Sequence, residues 1–424
     1  MKKILLFGAG KSATCLIDYL IAEAPANNWI VIIADVNRQQ ILTKTNHSPF
    51  TEAVQADINN DNQRNDLIAR ADIVISMMPP ALHYLIAKGC VAHCKNLLTA
   101  SYVDDAIKSL QPEIANKNLL FLCEMGLDPG IDHMSAMRII DSIQENGGSI
   151  TSFKSHCGGL VAPESDDNPW HYKVSWNPNN ITMAGKAGAA YLLNKSLQHK
   201  TYQQLFQDCA EVKVEGIGNL AIYPNRDSLS YMPIYHLESI DTFMRTTLRY
   251  PAFCLGWDAV VKAGLTNDAN LVNPDELSFA KWSSAIAPYV NASNESLLGF
   301  LGIFDKGPVP TTAKTSADIL QYLLETKLVM QPHDKDMIVM LHEIEYKQSE
   351  VTKKIESSLV VKGENNLRTA MAKTVGLPLG IAAKLILNGT IQLTGLHIPT
   401  LKEIYEPVLK ELKLEGIQFT EQYL

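Results

Sequence analysis

The amino-acid sequence predicts an α/β fold: a parallel sheet wrapped by helices, followed by a larger α+β domain. Three observations lead there. Short apolar runs alternate with segments of helical periodicity through the first third of the chain. Several of those runs stop at a glycine, an acid or a serine. Beyond Gly126 the alternation gives way to a mixed texture of loops, strands and helices. Regular alternation of strands with helices builds βαβ units, whose crossovers cover both faces of a parallel sheet.

Taken in order, residues 4–7 form a continuous apolar run ending at Gly8, the pattern of a buried parallel strand. Residues 11–24 carry Leu16, Ile17, Leu20 and Ile21 at helical spacing, and Pro25 is expected to end that helix. A second strand over 29–34 stops at Asp35. Strands are then expected over 72–78, 96–100 and 119–124, with helices over 81–94 and 103–115. Further on, 135–144 reads as a helix and 150–157 as a strand, while 163–169 and 176–180 read as ordered loops. Helical patterns dominate from about 267 to 330, and strands return at 337–341 and 357–361. The segment 401–414 is an amphipathic helix with no flexible linker before it, so it is expected to dock back on the body.

With 424 residues the chain is long enough for two or three domains. Hydrophobic residues at 46% and charged residues at 19% describe a globular protein and argue against extended disorder. A net charge of -8 offers no basic stripe to nucleic acid or to an anionic membrane. Seven cysteines are scattered without a C-x-x-C pair, which suits a reducing cytosol better than a disulfide framework or a zinc knuckle. The run over 4–7 is too short for a signal core, and no run approaches the roughly 20 apolar residues of a membrane helix. The expectation is a soluble, cytoplasmic protein with neither nucleic acid nor membrane as partner.

Gly8-Ala9-Gly10-Lys11-Ser12-Ala13 is G-x-G-x-x-A between the first strand and the first helix. In that setting the first glycine makes a tight turn, and the second lets backbone approach a pyrophosphate. The small third residue allows close packing, and the helix N-terminus takes the anion. Gly10-Lys11-Ser12 also imitates the end of a phosphate loop, but Leu5 stands where that motif needs glycine. Asp35, 22 positions after Ala13, ends the second strand, where a carboxylate binds ribose hydroxyls and repels a 2′-phosphate. NAD is therefore the expected cofactor; the nearby Arg38 keeps NADP possible. Ligands in open α/β sheets bind beyond the carboxyl ends of the strands. That rule selects Ser76, then Ala100, Ser101 and Tyr102, then Gly126, Leu127, Asp128, Pro129 and Gly130. Asp132 and His133 follow, with Asp132 equally suited to cap the next helix. Residues 1–127 thus read as a Rossmann NAD(P)-binding domain, with the tail 395–424 returning to it. Residues 128–394 read as an α+β substrate-binding and dimerisation domain.

Arginine is scarce, eight against 29 lysines, yet Arg226, Arg245 and Arg249 lie close in sequence. Arginine forks hold carboxylates bidentately, so such a group suits an acidic substrate. Arg245 with Asp241 at i,i+4 reads as a helical surface pair, leaving Arg226 and Arg249 as candidates. No metal is expected, since His342-Glu343 lacks the second histidine of H-E-x-x-H.

Glu124-Met-Gly-Leu-Asp-Pro-Gly-Ile-Asp-His133 resembles the signature of the saccharopine dehydrogenase (saccharopine reductase) family, L-glutamate-forming type. The resemblance runs through Ser155-His-Cys-Gly-Gly-Leu160, Tyr172-Lys-Val-Ser-Trp176, Tyr223-Pro-Asn-Arg-Asp-Ser228 and Thr247-Leu-Arg-Tyr250. It continues in Ala370-Met-Ala-Lys-Thr-Val-Gly-Leu-Pro378 and Leu401-Lys-Glu-Ile-Tyr-Glu-Pro-Val-Leu409, in the same order across nearly the whole chain. It implies oxidation of saccharopine by NAD(P) and hydrolysis to L-glutamate and 2-aminoadipate 6-semialdehyde, within lysine metabolism, by a homodimer. It implies nucleotide contacts at Ala9, Gly10, Lys11, Ser12, Asp35, Ala100, Ser101, Leu127, Asp128 and Pro129, to which the fingerprint adds Gly8 and the strand-end rule Ser76. Substrate contacts are implied at Ser101, Tyr102, Asp128, Arg226, Thr247, Leu248 and Arg249. Catalytic candidates are Asp128, to orient or accept from the amine, Tyr102, to supply a hydroxyl, and Cys157. Cys157, with His156, is expected to end a strand and close the site. Fungal members use NADP and lack an acid at the Asp35 position, so the expectation of NAD rests on Asp35 itself. The competing readings are a carboxynorspermidine dehydrogenase-like polyamine enzyme and a non-catalytic NAD-binding regulator. The first would want acids facing an amine end, and the second would be expected to lose Arg226 and Arg249.

Overall fold

The computed structural model describes residues 1–175 and 178–424, so Trp176, at the start of the loop expected over 176–180, lies outside the described residues. The chain divides into two units. Unit 1 is Met1–Ser142 with Leu367–Gln418, and unit 2 is Ile143–Asn366 with Phe419–Leu424.

The chain begins with β1 (Lys2–Phe7), α1 (Thr14–Asn27), β2 (Trp29–Asp35), α2 (Arg38–Thr45), β3 (Thr51–Gln55) and α3 (Asp61–Arg70). There follow β4 (Ile73–Ser76), α4 (Pro80–Ala92), β5 (Asn96–Thr99), α5 (Asp105–Ser109), α6 (Gln111–Asn116), β6 (Leu120–Leu122) and α7 (Ile131–Glu145). The next stretch holds β7 (Ser149–Val161), α8 (Asn179–Thr182), β8 (Ala189–Leu193), β9 (Ser196–Lys200), β10 (Ala210–Val214), β11 (Gly218–Pro224), β12 (Arg226–Asp227) and β13 (Thr242–Arg249). Four helices come next: α9 (Pro251–Lys262), α10 (Phe279–Trp282), α11 (Glu295–Leu301) and α12 (Ser316–Lys327). The chain ends with β14 (Asp336–Gln348), β15 (Val351–Lys362), α13 (Ala370–Leu387), β16 (Gly395–His397), α14 (Lys402–Leu414) and β17 (Thr420–Tyr423).

In unit 1 the sheet order is β16-β6-β5-β4-β1-β2-β3, with every pair parallel. Ile4, Leu5, Leu6 and Phe7 are fully buried, as expected of a strand covered on both faces. Register lines up the strand ends that matter: Phe7 pairs with Ala34 and with Ser76, and Ser76 pairs with Thr99. One row of residues at the carboxyl edge thus carries the ends of β1, β2, β4 and β5.

Helix α13 packs on α1. A Cβ at Gly376 would come within 3.0 Å of the Leu16 Cβ, and one at Gly380 within 2.6 Å of the Tyr19 ring. It is the one helix among the described residues long and apolar enough to cross a membrane, and its burial within unit 1 accounts for that composition. Lys384 on α13 ties α14 through Glu411 at 2.5 Å and α1 through Glu23 at 3.4 Å.

Several expectations are corrected here. Helix α1 runs past Pro25, which sits in its last turn, and ends where Asn28 adopts the left-handed conformation at φ 56°. The helix expected over 103–115 is two short ones, broken at Leu110 with Pro112 in the first turn of the second. The division falls after Ser142 and after Asn366, rather than after 127 and 394. Residues 128–142 and 367–394 belong to unit 1, because α7 and α13 are built into it.

Unit 2 is built on a mixed sheet of order β10-β11-β13-β7-β14-β15-β17, with β8, β9 and β12 off this path. Strand β7 lies in the middle, parallel to β13 and antiparallel to β14. It continues through Gly158 to Val161 instead of ending at Cys157. Glycine is required there because a Cβ at Gly158 would lie 2.4 Å from the Leu248 carbonyl oxygen. Arg245 lies on β13, not on a helix, and is 3% exposed with its guanidinium 4.5 Å from the centre of the Tyr231 ring. Asp241 sits 3.5 Å from Lys195.

Candidate functional site

Two sets of residues bear on function, one in each unit. In unit 1, Gly8 turns the chain away from β1 at φ +96°, and a Cβ there would meet the Met77 carbonyl oxygen at 3.0 Å. Its N–H donates to the Ala34 carbonyl at 2.9 Å. Gly10 precedes the turn Lys11–Ala13, and a Cβ on it would meet nothing within 4 Å. That open space is what the second glycine of the fingerprint keeps for a pyrophosphate, so the residues present fit a dinucleotide. The Asp35 carboxylate accepts the Ala9 N–H at 2.8 Å and the Asn37 N–H at 2.9 Å. From α2, Gln40 donates to the Ala9 carbonyl at 2.8 Å, and Lys44 donates to the Gly10 carbonyl at 2.5 Å and to the Thr14 hydroxyl at 2.8 Å. Burial pushes the Lys44 ammonium down to about 8, against the pull of Asp35 and Asp18. Arg38 spends its Nε–H on the Ala53 carbonyl at 3.2 Å.

At the ends of β4 and β5 the structure adds a residue the sequence did not signal. His83, on α4, lies 2.8 Å from the Ser76 hydroxyl through Nδ1 and 2.7 Å from the Ser101 hydroxyl through Nε2. Burial pushes it down to about 4, so the ring is neutral near pH 7. Ala100, Ser101 and Tyr102 are half-buried just beyond β5. The Tyr102 hydroxyl donates to Asp128 Oδ1 at 3.3 Å. Leu127 and Pro129 are buried within a tight loop in which the Gly126 N–H donates to the Pro129 carbonyl at 2.9 Å. Glu124 and His133 form a buried pair at 2.9 Å. Asp132 lies inside the first turn of α7, its carboxylate accepting the Gly130 N–H at 2.6 Å.

In unit 2, Thr247 pairs with Cys157, so those side chains and Arg249 share one face of the sheet. His156 and Leu248 point to the other face. His156 is buried against the Thr246 hydroxyl at 2.6 Å and Glu343 at 3.1 Å, and Leu248 sits in a core with Leu160 and Val339. His156 and Cys157 therefore cannot close one site together, and Leu248 offers a ligand only its main chain on the Arg249 side. Arg249 is 6% exposed; its guanidinium lies 5.4 Å from the ring centres of Tyr172 and Phe253 and donates to the Leu248 carbonyl at 2.8 Å. Its Nε–H finds no acceptor, and no carboxylate pairs with it among the described residues. Arg226 stands in other surroundings. It is exposed on β12, where it lines a cleft of about 730 Å³ with Lys186, His199 and Lys200, and Arg249 does not line that cleft. Among the described residues no cluster of three or more His, Cys, Asp or Glu could hold a metal ion.

The parallel sheet, the glycine turn and the acid ending β2 define a Rossmann dinucleotide-binding protein with a second, mixed-sheet unit. Residues 4–122 match the family profile described as "Saccharopine dehydrogenase NADP binding domain", and residues 126–417 the one described as "Saccharopine dehydrogenase C-terminal domain". The chain belongs to the saccharopine dehydrogenase family. It is 37% identical over 448 aligned positions to the mitochondrial alpha-aminoadipic semialdehyde synthase of Bos taurus, covering 99% of this chain and 48% of that protein. The chain thus spans about half the length of that relative. It is 31% identical to saccharopine dehydrogenase [NADP(+), L-glutamate-forming] of Saccharomyces cerevisiae, over 97% of each. The solved apo structure of the Saccharomyces cerevisiae saccharopine dehydrogenase (L-Glu forming) superposes with a TM-score of 0.90 at 29% identity, over the full length of both.

Proposed function

We propose that this chain oxidises saccharopine with a nicotinamide dinucleotide and water, releasing L-glutamate and 2-aminoadipate 6-semialdehyde. The observation that carries this reading is Arg249: a buried guanidinium with an unspent N–H and no acid beside it suits a ligand carboxylate. A dinucleotide held at the glycine turn and Asp35 would supply the hydride acceptor for the carbon that becomes the aldehyde. Ser101 and Tyr102 present hydroxyls, and Asp128, oriented by Tyr102, takes the amine proton or holds the amine. Thr247 and Arg249 serve the substrate in unit 2 with the main chain of Leu248; Arg226 is retained as a substrate candidate in the separate cleft that it lines. Cys157 shares the Arg249 face and is retained as a proton-transfer candidate. Asp35 favours NAD, and the fungal relatives named for NADP(+) supply the competing expectation. The seven free thiols suit a reducing compartment, and a homodimer through unit 2 belongs to the same reading.

The test is saccharopine-dependent reduction of NAD and of NADP, followed at the nicotinamide absorbance, with sedimentation to read the dimer. Turnover of saccharopine upholds the proposal. Absence of turnover with either dinucleotide, or turnover only of a polyamine-derived secondary amine such as carboxynorspermidine, overturns it.

A further inference from the structure

The Ser76–His83–Ser101 chain bridges the ends of two central strands, yet in the sequence His83 belongs to α4, outside the fingerprint and the strand-end segments. Ser76 is 1% exposed and His83 is 4% exposed, whereas Ser101 is half-buried. The chain therefore runs from the interior outward to a hydroxyl that a ligand can reach.

A neutral imidazole has one N–H and one lone pair, so the two hydrogen bonds must run in the same direction along the chain. In one arrangement the Ser76 O–H donates to Nδ1, and Nε2–H donates to the Ser101 oxygen. In the other, Nδ1–H donates to Ser76 and the Ser101 O–H donates to Nε2. The second leaves the Ser76 proton without an acceptor: among the described residues, His83 is the one side-chain partner of that buried hydroxyl. A buried donor left unmade bears its full desolvation cost, so the first arrangement is favoured. Its consequence falls on Ser101, whose proton is then free of the protein and turned toward a ligand. The Ser101 main chain is fixed independently, its N–H donating to the Thr99 hydroxyl at 3.2 Å and its carbonyl accepting the Glu124 N–H at 3.1 Å. Thr99 Oγ1 lies 3.3 Å from Nε2 and 3.5 Å from Nδ1, nearly equidistant from the two nitrogens, so it sits over the ring face and out of line with the in-plane hydrogen bonds to Ser76 and Ser101.

We propose that His83 is a positioning residue that holds Ser101 as a hydrogen-bond donor toward an sp² oxygen of a bound ligand. That oxygen belongs to a substrate carboxylate or to the nicotinamide carboxamide. The proposal rests on the assignment of Ser101 to ligand contact made above. It differs from a structural role in one respect: His83 matters to the ligand only through the Ser101 proton.

Two measurements decide it. Nitrogen-15 spectra of the histidine-labelled full chain, with His83 identified by loss of its signals in His83→Gln, are expected to show the Nε2–H tautomer at pH 7. The Nδ1–H tautomer overturns the proposal. Second, affinity for reduced dinucleotide, by fluorescence, and KM for saccharopine are measured for Ser101→Ala, His83→Phe, His83→Gln and the Ser101→Ala/His83→Phe pair. Ser101→Ala and His83→Phe are each expected to weaken the same constant by about tenfold. The pair is expected to be no weaker than Ser101→Ala, because both act through one proton. His83→Gln, whose amide can accept from Ser76 and donate to Ser101, is expected to recover most of the loss. An effect on dinucleotide affinity identifies the carboxamide as acceptor, and an effect confined to KM identifies the substrate carboxylate. Additive losses, or unchanged constants in His83→Phe, overturn the proposal. A wild-type chain that binds dinucleotide without oxidising saccharopine refutes the function proposed above; the tautomer and the dinucleotide cycle still decide this one.

Discussion

Asp35 accepts the Ala9 N–H at 2.8 Å, joining the acid at the end of β2 to the glycine turn after β1. Its second oxygen holds the Asn37 N–H, and Gln40 and Lys44 reach back from α2 to the carbonyls of Ala9 and Gly10. The acid and the helix that follows it therefore brace the turn before any nucleotide arrives.

Removing that brace should affect both dinucleotides. Asp35→Ala is expected to weaken NAD binding by about tenfold, the loss of one charge-assisted hydrogen bond. NADP should lose less, since relief of repulsion at the 2′-phosphate offsets the loosened turn. Fluorescence titration with each reduced dinucleotide checks this, and an improvement for NADP with no loss for NAD would contradict the bracing role.

Arg249→Met is expected to raise the KM for saccharopine by about 100-fold, the scale of a lost charged pair. The same variant should melt no lower than wild type. It removes an isolated buried charge while keeping much of the volume between Tyr172 and Phe253. Steady-state kinetics beside a thermal melt tests both halves, and a drop in Tm with unchanged KM would make Arg249 structural.

Acid should destabilise unit 1 through His83. Its pKa falls from 6.5 to about 4 on folding because of burial. Between those values the unfolded chain binds the proton and the folded chain does not. Stability is therefore fully present above pH 6.5 and lost as pH falls toward 4. From pH 6.5 to 5 the loss is about 2 kcal/mol. Urea unfolding at both values, for wild type and His83→Gln, should show that share vanish in the variant. Staying at or above pH 5 keeps Glu343 out of the comparison. Its carboxyl is held near 2, first by the hydrogen bond from His156, and its contribution is lost only below pH 4.5.

Glycine-to-alanine changes in helices usually stabilise by up to ~1 kcal/mol. At Gly376 the sign should reverse, because the new methyl would lie 3.0 Å from both the Leu16 Cβ and the Leu16 backbone nitrogen. A loss of about 1–3 kcal/mol is expected from overpacking. Gly299→Ala on α11, where a Cβ meets nothing within 4 Å, serves as the control and should melt slightly higher.

What could be read from the sequence follows burial. Strands β1, β2, β4 and β5 announce themselves because both faces are covered and their apolar runs are unbroken. Strand β3, Thr-Glu-Ala-Val-Gln, escapes notice: it is a half-buried edge with no such run. The strand expected to stop at Cys157 continues through Gly158, whose missing Cβ lets β13 approach. The fingerprint residues, Asp35 and the Tyr102–Asp128 pair gather at strand ends as the topology rule requires. Arg226 and Arg249, close in sequence, were expected to act as a pair; one is exposed and the other buried. His83 gave no signal, for a histidine on a helix has partners only once β4 and β5 are paired.

Unit 1 borrows α13, β16 and α14 from the far end of the chain, and this bears on how the protein is made. As translation proceeds, the first 142 residues emerge with the Leu16 and Tyr19 face of α1 uncovered and β6 lacking its outer neighbour. Both must wait while residues 143–366 are synthesised. Strand β17 reaches β15 later still. A nascent chain stalled short of residue 418 therefore presents apolar surface to chaperones. The two units mature almost together, rather than in the N-to-C order common among multidomain chains.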